Sequence, residues 1–276
     1  MIRSIMVSKL TAAVLSALIL LACGEDGGRP AGPGGNDTAD SGQFREYSYS
    51  IVNTFSHSLD AYTQGLVFEE GFLYESTGLH GESSVRKVEL ETGNILMRHD
   101  LATRHFGEGI TISGDSIIQL TLTSGEGFIY TREELDSIGR FEYDFFPWGL
   151  TDDGKKLIVS DGSDTLYFLS PDTFLETGRI TVRHDSAAVD QLNELEYIEG
   201  KVFANVYGSY NIMIIDPASG RVTGRVDLSG IRDGSVPAPG AGIPNGIAYD
   251  PVDKRIFVTG KNWPDLFEIE LIPAGN

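Results

Sequence analysis

The chain has 276 residues, 41% of them hydrophobic, and a formal net charge of −19. This length suffices for one large core or two ordinary domains. A surface this acidic repels phosphate backbones, so the composition argues against nucleic-acid binding and is typical of a well-solvated surface. After the N-terminal residues no apolar run is long enough to span a bilayer.

Residues 1–22 are predicted to be an export signal, because Arg3 and Lys9 precede an apolar run at residues 10–21. Residues 20–23 resemble the lipobox of bacterial lipoproteins, in which the Cys becomes the lipidated first residue of the mature chain. We therefore expect an exported protein held in the cell envelope by lipid on Cys23, with Gly24 favouring the outer membrane, facing the periplasm. An ordinary signal peptide that contains a Cys is the alternative. Cys23 is the only Cys, so an internal disulfide is excluded.

Gly, Pro and Asp dominate the next segment, so residues 23–43 are predicted to be the lipidated Cys followed by a flexible linker. The folded domain is predicted at residues 44–276. There, apolar and polar residues alternate with period two between Gly-rich turns, which predicts an all-β domain. The one stretch where a helix would fit is residues 186–192.

Five short segments of this domain repeat one pattern. In each, a polar or aromatic lead residue precedes a small residue (Glu194 in the fourth copy), and an aliphatic strand follows. The leads recur at intervals of roughly 40–52 residues. They are Gln64, Glu108, Trp148, Asn193 and Asn245.

Further strands are predicted after each lead strand. Second strands are predicted at residues 72–76, 116–120, 156–160, 201–205 and 255–259. Third strands are predicted at residues 85–90, 127–131, 165–170, 212–216 and 266–271. Fourth strands are predicted in four copies, at residues 95–101, 138–143, 178–182 and 222–228.

Four strands in about 40–45 residues is the period of a propeller blade. The sequence therefore predicts a five-bladed β-propeller. The fifth copy reaches Asn276 before a fourth strand, and the strand predicted at residues 45–55 is the candidate to complete it. Such pairing would close the ring and cover an exposed sheet edge.

In a propeller the first strand of each blade lines the central channel, so the five leads are predicted to meet at one channel mouth. The residue before the first lead strand and the ends of second strands would add Tyr62, Glu75, Asn205, Tyr207 and Lys261.

Glu108 is the only carboxylate among the leads. Burial beside Trp and Phe would raise its pKa toward neutrality, where a carboxyl group both donates and accepts protons. A structural acid bonded to backbone amides is the alternative interpretation of Glu108. Taken singly, Lys261 is typical of a solvated strand end and Trp148 of a core residue.

Other chemistries have little support in the sequence. The five His show no paired spacing of metal-ligand type, and there is neither a Gly-x-Ser-x-Gly elbow nor a phosphate-cradling Gly-Lys-Ser/Thr. The run Ser160-Asp161-Gly162-Ser163 is predicted to be a turn, in which Asp161-Gly162 makes the bend.

At these residues the chain resembles the glutamine cyclotransferases, the plant-type glutaminyl cyclases. The resemblance covers residues 48–271 in order. It includes Tyr62-Thr63-Gln64-Gly65-Leu66, Phe106-Gly107-Glu108-Gly109-Ile110, Trp148-Gly149-Leu150, Asn193-Glu194-Leu195-Glu196-Tyr197, Asn245-Gly246-Ile247-Ala248-Tyr249-Asp250 and Gly260-Lys261-Asn262-Trp263-Pro264. Each run is weak alone, and their order along the chain makes the match specific.

The resemblance implies a five-bladed propeller that converts the N-terminal glutamine of a peptide into pyroglutamate and releases ammonia. The α-amine attacks the γ-carboxamide carbon of the same residue, so the substrate itself supplies proximity. The enzyme must hold the folded conformer, stabilise the oxyanion and protonate the leaving nitrogen. The expected partners are peptides or proteins with N-terminal glutamine. We expect a monomer that touches membrane only through its lipid.

Carried over by position, the resemblance implies that Glu108 is the catalytic proton shuttle, and that Lys261 and Asn193 polarise the amide oxygen or hold the amine. It implies a substrate-binding pocket of Gln64, Tyr62, Phe106, Trp148, Tyr207 and Leu122.

Three positions depart from the family pattern. Leu122 and Tyr207 stand where the family usually has Trp, and Tyr62 stands where Phe is usual. The two Tyr keep an aromatic ring. Leu122 removes one, which leaves substrate affinity and the preference for the second residue open.

The resemblance also implies a divalent ion, calcium, held largely by backbone oxygens in the channel. No side-chain ligand set is visible in the sequence, so we expect a structural ion and catalysis without a cofactor. Two alternative functions remain open at this point. One is a metal-dependent propeller lactonase or hydrolase with Glu108 and Asn ligands, and the other is a non-catalytic tethered propeller that binds peptides or sugars.

Overall fold

The computed structural model describes residues 44–275, which form an all-β domain. The predicted signal at residues 1–22, the lipidated Cys23 and the linker that ends at residue 43 lie outside the described residues. None of the described residues belongs to a helix long and apolar enough to cross a membrane.

The strands of residues 44–275 agree with the predicted strands to within a few residues at each end. In chain order they are β1 (Arg45–Ser56), β2 (Thr63–Glu69), β3 (Phe72–Thr77), β4 (Ser84–Glu89), β5 (Ile95–Asp100), β6 (Gly107–Ser113), β7 (Ser116–Thr121), β8 (Glu126–Thr131), β9 (Ser137–Glu142), β10 (Leu150–Asp152), β11 (Leu157–Ser160), β12 (Thr165–Leu169), β13 (Glu176–Thr181), β14 (Arg183–His184), β15 (Ala187–Ala188), β16 (Leu192–Ile198), β17 (Lys201–Val206), β18 (Asn211–Ile215), β19 (Val222–Asp227), β20 (Pro244–Asp250), β21 (Arg255–Gly260) and β22 (Asp265–Pro273).

Twelve of the strands form three antiparallel sheets of four, in which consecutive strands are neighbours. These three sheets have the orders β2-β3-β4-β5, β6-β7-β8-β9 and β10-β11-β12-β13. No helix forms at residues 186–192. Instead β14 and β15 make a small hairpin through Asp185, whose φ is +53°, and β16 begins at Leu192.

The remaining strands form one eight-stranded sheet of order β16-β17-β18-β19-β1-β22-β21-β20. Strand β1 pairs antiparallel with β22 from Tyr47 opposite Pro273 to Ser56 opposite Asp265. It pairs parallel with β19 only through its first residues, Arg45 to Tyr47. The N-terminal strand of the domain therefore pairs with the last strand of the chain, as predicted.

The first strands of the repeats form a closed ring. Strand β2 contacts β6 and β20, β6 contacts β10, β10 contacts β16, and β16 contacts β20. Small residues allow this close approach. At Gly109, for example, an added Cβ would lie 2.5 Å from the backbone nitrogen of Leu150 on the next strand of the ring. The arrangement is propeller-like.

Apolar side chains fill the spaces between successive sheets. Tyr74 and Val85 of one sheet pack with Ile110 and Ile117 of the next, and these residues are buried. Because each sheet buries both faces against its neighbours, the core consists of layers around the ring rather than one central mass.

Four of the five lead residues lie at a β-bulge. The pairing register breaks between Thr63 and Gly65, between Gly107 and Ile110, between Leu192 and Leu195, and between Pro244 and Ile247. A bulge leaves a residue outside the ladder and redirects its side chain. The repeated bulge therefore sets the direction in which the lead side chains point.

Candidate active site

A pocket of about 250 Å³ lies where four of the five lead residues converge. It is lined by eight of the nine catalytic and substrate-binding residues predicted from the sequence, namely Gln64, Phe106, Glu108, Leu122, Trp148, Asn193, Tyr207 and Lys261. The ninth, Tyr62, lies at its edge, where its ring meets that of Phe106 edge-to-face with 6.3 Å between centroids. Residues distant in the chain thus share one small pocket, in which three aromatic rings lie beside charged and amide groups.

Glu108 is the buried carboxyl group of this pocket, and only 2% of its surface is exposed. Burial raises the pKa of Glu108 well above its ordinary value, while the nearby Lys261 ammonium and a hydrogen bond with the Gln64 side chain act in the opposite direction. The Oε2 atom is buried without a hydrogen-bond partner in the described structure.

Lys261 is buried as well, so the structure does not support the alternative of a solvated strand end. Its Nζ lies 4.8 Å from the centre of the Tyr62 ring and 5.5 Å from that of Tyr207. Burial lowers the pKa of Lys261 to about 8, although the Glu108 carboxylate opposes this change. Burial thus moves the pKa values of Glu108 and Lys261 toward each other, that of Glu108 upward and that of Lys261 downward.

Aromatic rings form one wall of the pocket. The Trp148 and Tyr207 rings meet edge-to-face with 5.6 Å between centroids. Trp148 also lies over the backbone of Gly162, where an added Cβ would be 2.6 Å from the indole ring. Gly162 has a φ of +81° and belongs to the predicted Asp161-Gly162 turn, in which Asp161 Oδ1 accepts a hydrogen bond from the Ser163 N–H. The turn is confirmed, and it supports the indole.

Asn193 lines the pocket, and its Oδ1 atom is buried without a hydrogen-bond partner in the described structure. The Ser160 side chain links the backbone of Asn193 to the backbone of Gly149. The Ser160 hydroxyl donates to the Asn193 carbonyl oxygen at 2.7 Å and accepts from the Gly149 N–H at 2.8 Å. These bonds fix Asn193 beside the segment that carries Trp148.

Three residues predicted at the mouth lie behind the pocket instead. Glu75 accepts hydrogen bonds from Thr63 and His57, and Asn205 Oδ1 accepts from the Gly246 N–H. Asn245 donates to Gln64 Oε1. These three side chains bond to neighbouring strands instead of facing the pocket, and they hold in place the strands that carry the pocket residues. No sequence motif singles out His57. Its contact with Glu75 is seen only in the structure, where the two side chains form an ion pair.

Within residues 44–275 no three His, Cys, Asp or Glu side chains lie close enough together to hold a metal ion. The channel carboxylate Glu194 already accepts hydrogen bonds on both oxygens, from the Leu66 N–H at 3.3 Å and the Ile247 N–H at 2.9 Å. Its side chain is therefore arranged around N–H donors rather than around a cation.

Comparison with known proteins gives concordant results. Residues 30–271 match the family model described as glutamine cyclotransferase. The chain is 42% identical over 228 residues to the glutaminyl-peptide cyclotransferase of Arabidopsis thaliana, which covers 81% of this chain and 71% of that protein. The crystal structure of Myxococcus xanthus glutaminyl cyclase superposes with a TM-score of 0.78 at 35% identity, over 84% of this chain and 100% of the other.

Proposed function

This chain belongs to the glutamine cyclotransferase family, and from that premise we propose that its pocket closes the glutamine ring with Glu108 as the group that moves the proton. Its activity is that of a glutaminyl-peptide cyclotransferase. The products are a peptide with N-terminal pyroglutamate and one molecule of ammonia.

In the proposed mechanism the neutral α-amine attacks the carbon of its own γ-carboxamide, and a C–N bond forms while the carbonyl oxygen gains negative charge. Glu108, as a carboxylate, takes one proton from the attacking nitrogen. It then gives this proton to the departing nitrogen, the original C–N bond breaks, and ammonia leaves. Glu108 ends as it began, so its raised pKa serves both steps.

Lys261 and Asn193 are assigned different roles, because one is a charged donor and the other offers an acceptor. Lys261 carries the donor and the positive charge, so we assign it to the oxyanion that develops on the amide oxygen. Asn193 Oδ1 is a free acceptor, so we assign it to an N–H of the substrate amine. The Phe106, Trp148 and Tyr207 rings enclose the folded side chain and exclude water.

The observation that carries this proposal is the unpartnered Glu108 Oε2 atom in a pocket that also holds a buried ammonium. We predict that Glu108→Gln lowers kcat for a Gln-Xaa peptide by about 10²–10⁴, because an amide cannot take up the proton. Ammonia release and the peptide mass, measured together, test the prediction.

Glu196→Gln is the matched control, since Glu196 is another buried carboxyl of the β-domain that does not line this pocket. Both variants should keep the wild-type unfolding temperature to within a few degrees. A Glu108→Gln enzyme that turns over at the wild-type rate would refute the assigned role. A wild-type protein that binds the peptide and leaves its mass unchanged would support the non-catalytic binder instead.

We also propose that the domain has five blades. In this assignment the eight-stranded sheet counts as two units, β16 to β19 and β20 to β22 completed by β1. The closed ring of five first strands supports it. A structural calcium ion remains a proposal that rests on the family resemblance. The side chains do not form a cage for it, so it would depend on backbone oxygens, and no catalytic step is assigned to it.

The remaining proposals rest on the sequence alone. They are export by residues 1–22, lipid attachment at Cys23, a linker through residue 43 and an outer-membrane location facing the periplasm. We further propose that the protein is monomeric, that its substrates are peptides or proteins with N-terminal glutamine, and that its lipid is its only contact with membrane.

A further inference from the structure

Behind the pocket lies a chain of hydrogen bonds whose direction is set by the backbone. Asn245 is fully buried, and its Nδ2 atom lies 3.0 Å from the carbonyl oxygen of Thr63 and 3.0 Å from Gln64 Oε1. A backbone carbonyl oxygen can only accept a hydrogen bond. The group of Asn245 that faces Thr63 must therefore be its NH₂, whatever the preferences of its other neighbours.

This choice determines the orientation of the next amide. Since the Asn245 NH₂ also faces the end of the Gln64 side chain, the Gln64 atom nearest to it must be the acceptor Oε1. The Gln64 NH₂ is then left on the side of the pocket that Gln64 shares with Glu108, whose pKa the Gln64 side chain acts to lower. The Thr63 carbonyl oxygen thus fixes the orientation of the Asn245 amide. The Asn245 amide in turn fixes that of the Gln64 amide, which lies in the pocket of the proposed acid–base group.

One acceptor is left unpaired in this arrangement, since the Oδ1 atom of Asn245 is buried without a partner in the described structure. A reversed Asn245 amide would place that oxygen against the Thr63 carbonyl oxygen, and two buried acceptors in contact are worse than one unpaired acceptor.

Resting on the function proposed above, we propose that Asn245 is a positioning residue for the reaction. It forces Gln64 to present its NH₂, rather than its oxygen, on the side of the Glu108 carboxyl in the pocket that the two residues share, so that the proposed acid–base group meets a donor. Asn245 lies outside the pocket lining and acts only through Gln64.

The test replaces Asn245 and follows the titration of Glu108 directly. Asn245→Leu removes the NH₂ and frees the Gln64 amide to turn. Asn245→Asp keeps the shape and replaces the donor by an acceptor. Because a donated hydrogen bond favours the carboxylate, we expect its loss to raise the midpoint of the Glu108 carboxyl titration by about one pH unit or more. Carbon-13 NMR of the carboxyl groups measures this, and Glu108→Gln assigns the signal.

Asn205→Leu is the matched control. Asn205 is an equally buried Asn on the adjacent strand β17, and its Oδ1 bonds only to the Gly246 N–H. This variant should lose comparable stability while the Glu108 titration stays at its wild-type midpoint. An unchanged Glu108 midpoint in both Asn245 variants, or an equal shift in Asn205→Leu, would overturn the proposal.

Kinetics supply the second measurement. The acidic limb of the kcat profile should move to higher pH in the Asn245 variants in parallel with the NMR midpoint, and kcat at neutral pH should fall roughly 10- to 100-fold. The substrate amine titrates identically in every variant, so a difference between variants belongs to the enzyme. Because the NMR titration needs no turnover, an inactive wild-type protein would count against the proposed function and leave this inference decided by the carboxyl midpoints.

Discussion

At the scale of single residues, the pocket depends on two opposite charges that are both taken out of water. Burial raises the pKa of Glu108 and lowers that of Lys261, and each group partly offsets the change in the other. In water neither group would exchange a proton near pH 7. Burial in one pocket therefore shifts both pKa values toward the neutral range, that of the acid upward and that of the base downward.

The position of the Trp148 indole depends on Gly162, whose backbone lies against the ring. We predict that Gly162→Ala raises KM several-fold, because the new Cβ would overlap the indole and displace the aromatic wall. It should also cost about 1–2 kcal/mol of stability, since φ is +81° at this position. Steady-state kinetics and chemical denaturation measure the two effects.

Gly154→Ala separates these effects. Gly154 has a φ of +80° and no neighbour within 4 Å of an added Cβ, so this variant should lose similar stability and keep the wild-type KM. Equal values of KM in the two variants would show that the indole does not depend on Gly162.

His57 is predicted to carry a proton in the folded protein, because both of its ring nitrogens face acceptors. Nε2 lies 3.0 Å from Glu75 Oε1, and Nδ1 lies 2.8 Å from the carbonyl oxygen of Trp263. Burial by itself lowers the pKa of His57, but the Glu75 carboxylate and the two hydrogen bonds outweigh it and raise the pKa above 6.5. Burial by itself raises the pKa of Glu75, but the His57 charge and hydrogen bond, together with the Arg86 charge and the Thr63 hydrogen bond, outweigh it and lower the pKa below 4.5.

The signs of these shifts define a pH window. The His57 contribution is complete below pH 6.5 and is lost as the pH rises through the folded value, and the Glu75 contribution is complete above pH 4.5. We predict that His57→Gln costs about 3 kcal/mol in the free energy of unfolding near pH 6 and less near pH 9. Denaturant titrations at both pH values, with the partly exposed His184→Gln as control, measure the difference. A cost independent of pH would contradict a charged His57.

At the scale of the strand, the repeated β-bulge and the N-terminal strand β1 have different roles. The bulges at the start of β2, β6, β16 and β20 turn lead side chains out of the ladder. Strand β1 instead covers the outer edge of β22, where unpaired N–H and C=O groups would otherwise face solvent. The ring thus keeps its shape through a contact between the two ends of the domain.

Because β1 and β22 are antiparallel neighbours, their ends are close, and the Ala274 N–H donates to the Glu46 carbonyl oxygen at 2.8 Å. We predict that a circular permutant that begins at Leu59 and ends at Ser58, with a short linker from residue 275 to residue 44, folds and keeps wild-type kcat. The truncated domain that begins at Leu59 and lacks β1 should aggregate or unfold, since it exposes β22. Light scattering measures aggregation of the permutant and of the truncated domain, and steady-state kinetics measures kcat for both. A stable, active truncated domain would show that β1 does not close the fold.

At the scale of the whole molecule, Glu194 occupies the place where the other copies of the repeat have a small residue. From β16 its two carboxyl oxygens accept N–H groups of β2 and β20, so one side chain joins three first strands of the ring. Burial raises the pKa of Glu194 well above its ordinary value, and the nearby Glu196 raises it further. The role of this carboxyl is to supply two acceptors.

We predict that Glu194→Gln lowers the free energy of unfolding by about 1–3 kcal/mol, because the amide NH₂ would face a backbone N–H and leave it unsatisfied. Glu196→Gln should cost less. Its Oε1 can still accept from the Tyr249 N–H, and its NH₂ would face the Thr151 hydroxyl, which also accepts. Denaturation of both variants tests this. Equal costs would show that Glu194 does not join the strands by its second acceptor.

Local patterns sufficed to predict the all-β class and nearly every strand, and together with the family resemblance they predicted the residues of the pocket. Alternation with period two specifies a strand by itself, and a repeated unit must meet its copies around a ring. Glu108, Asn193 and Lys261 could therefore be named from position in the repeat and from the family resemblance, before their distances were known.

Only the tertiary structure decided which way the hydrogen bonds run and how deeply the charges are buried. The direction of the Gln64 amide depends on the Thr63 carbonyl oxygen and on Asn245, which is distant in the chain. The burial of Lys261 and the pairing of His57 with Glu75 likewise depend on which strands meet. A sequence specifies which donors and acceptors exist, but their pairing depends on distances of about 3 Å that are set when the ring closes.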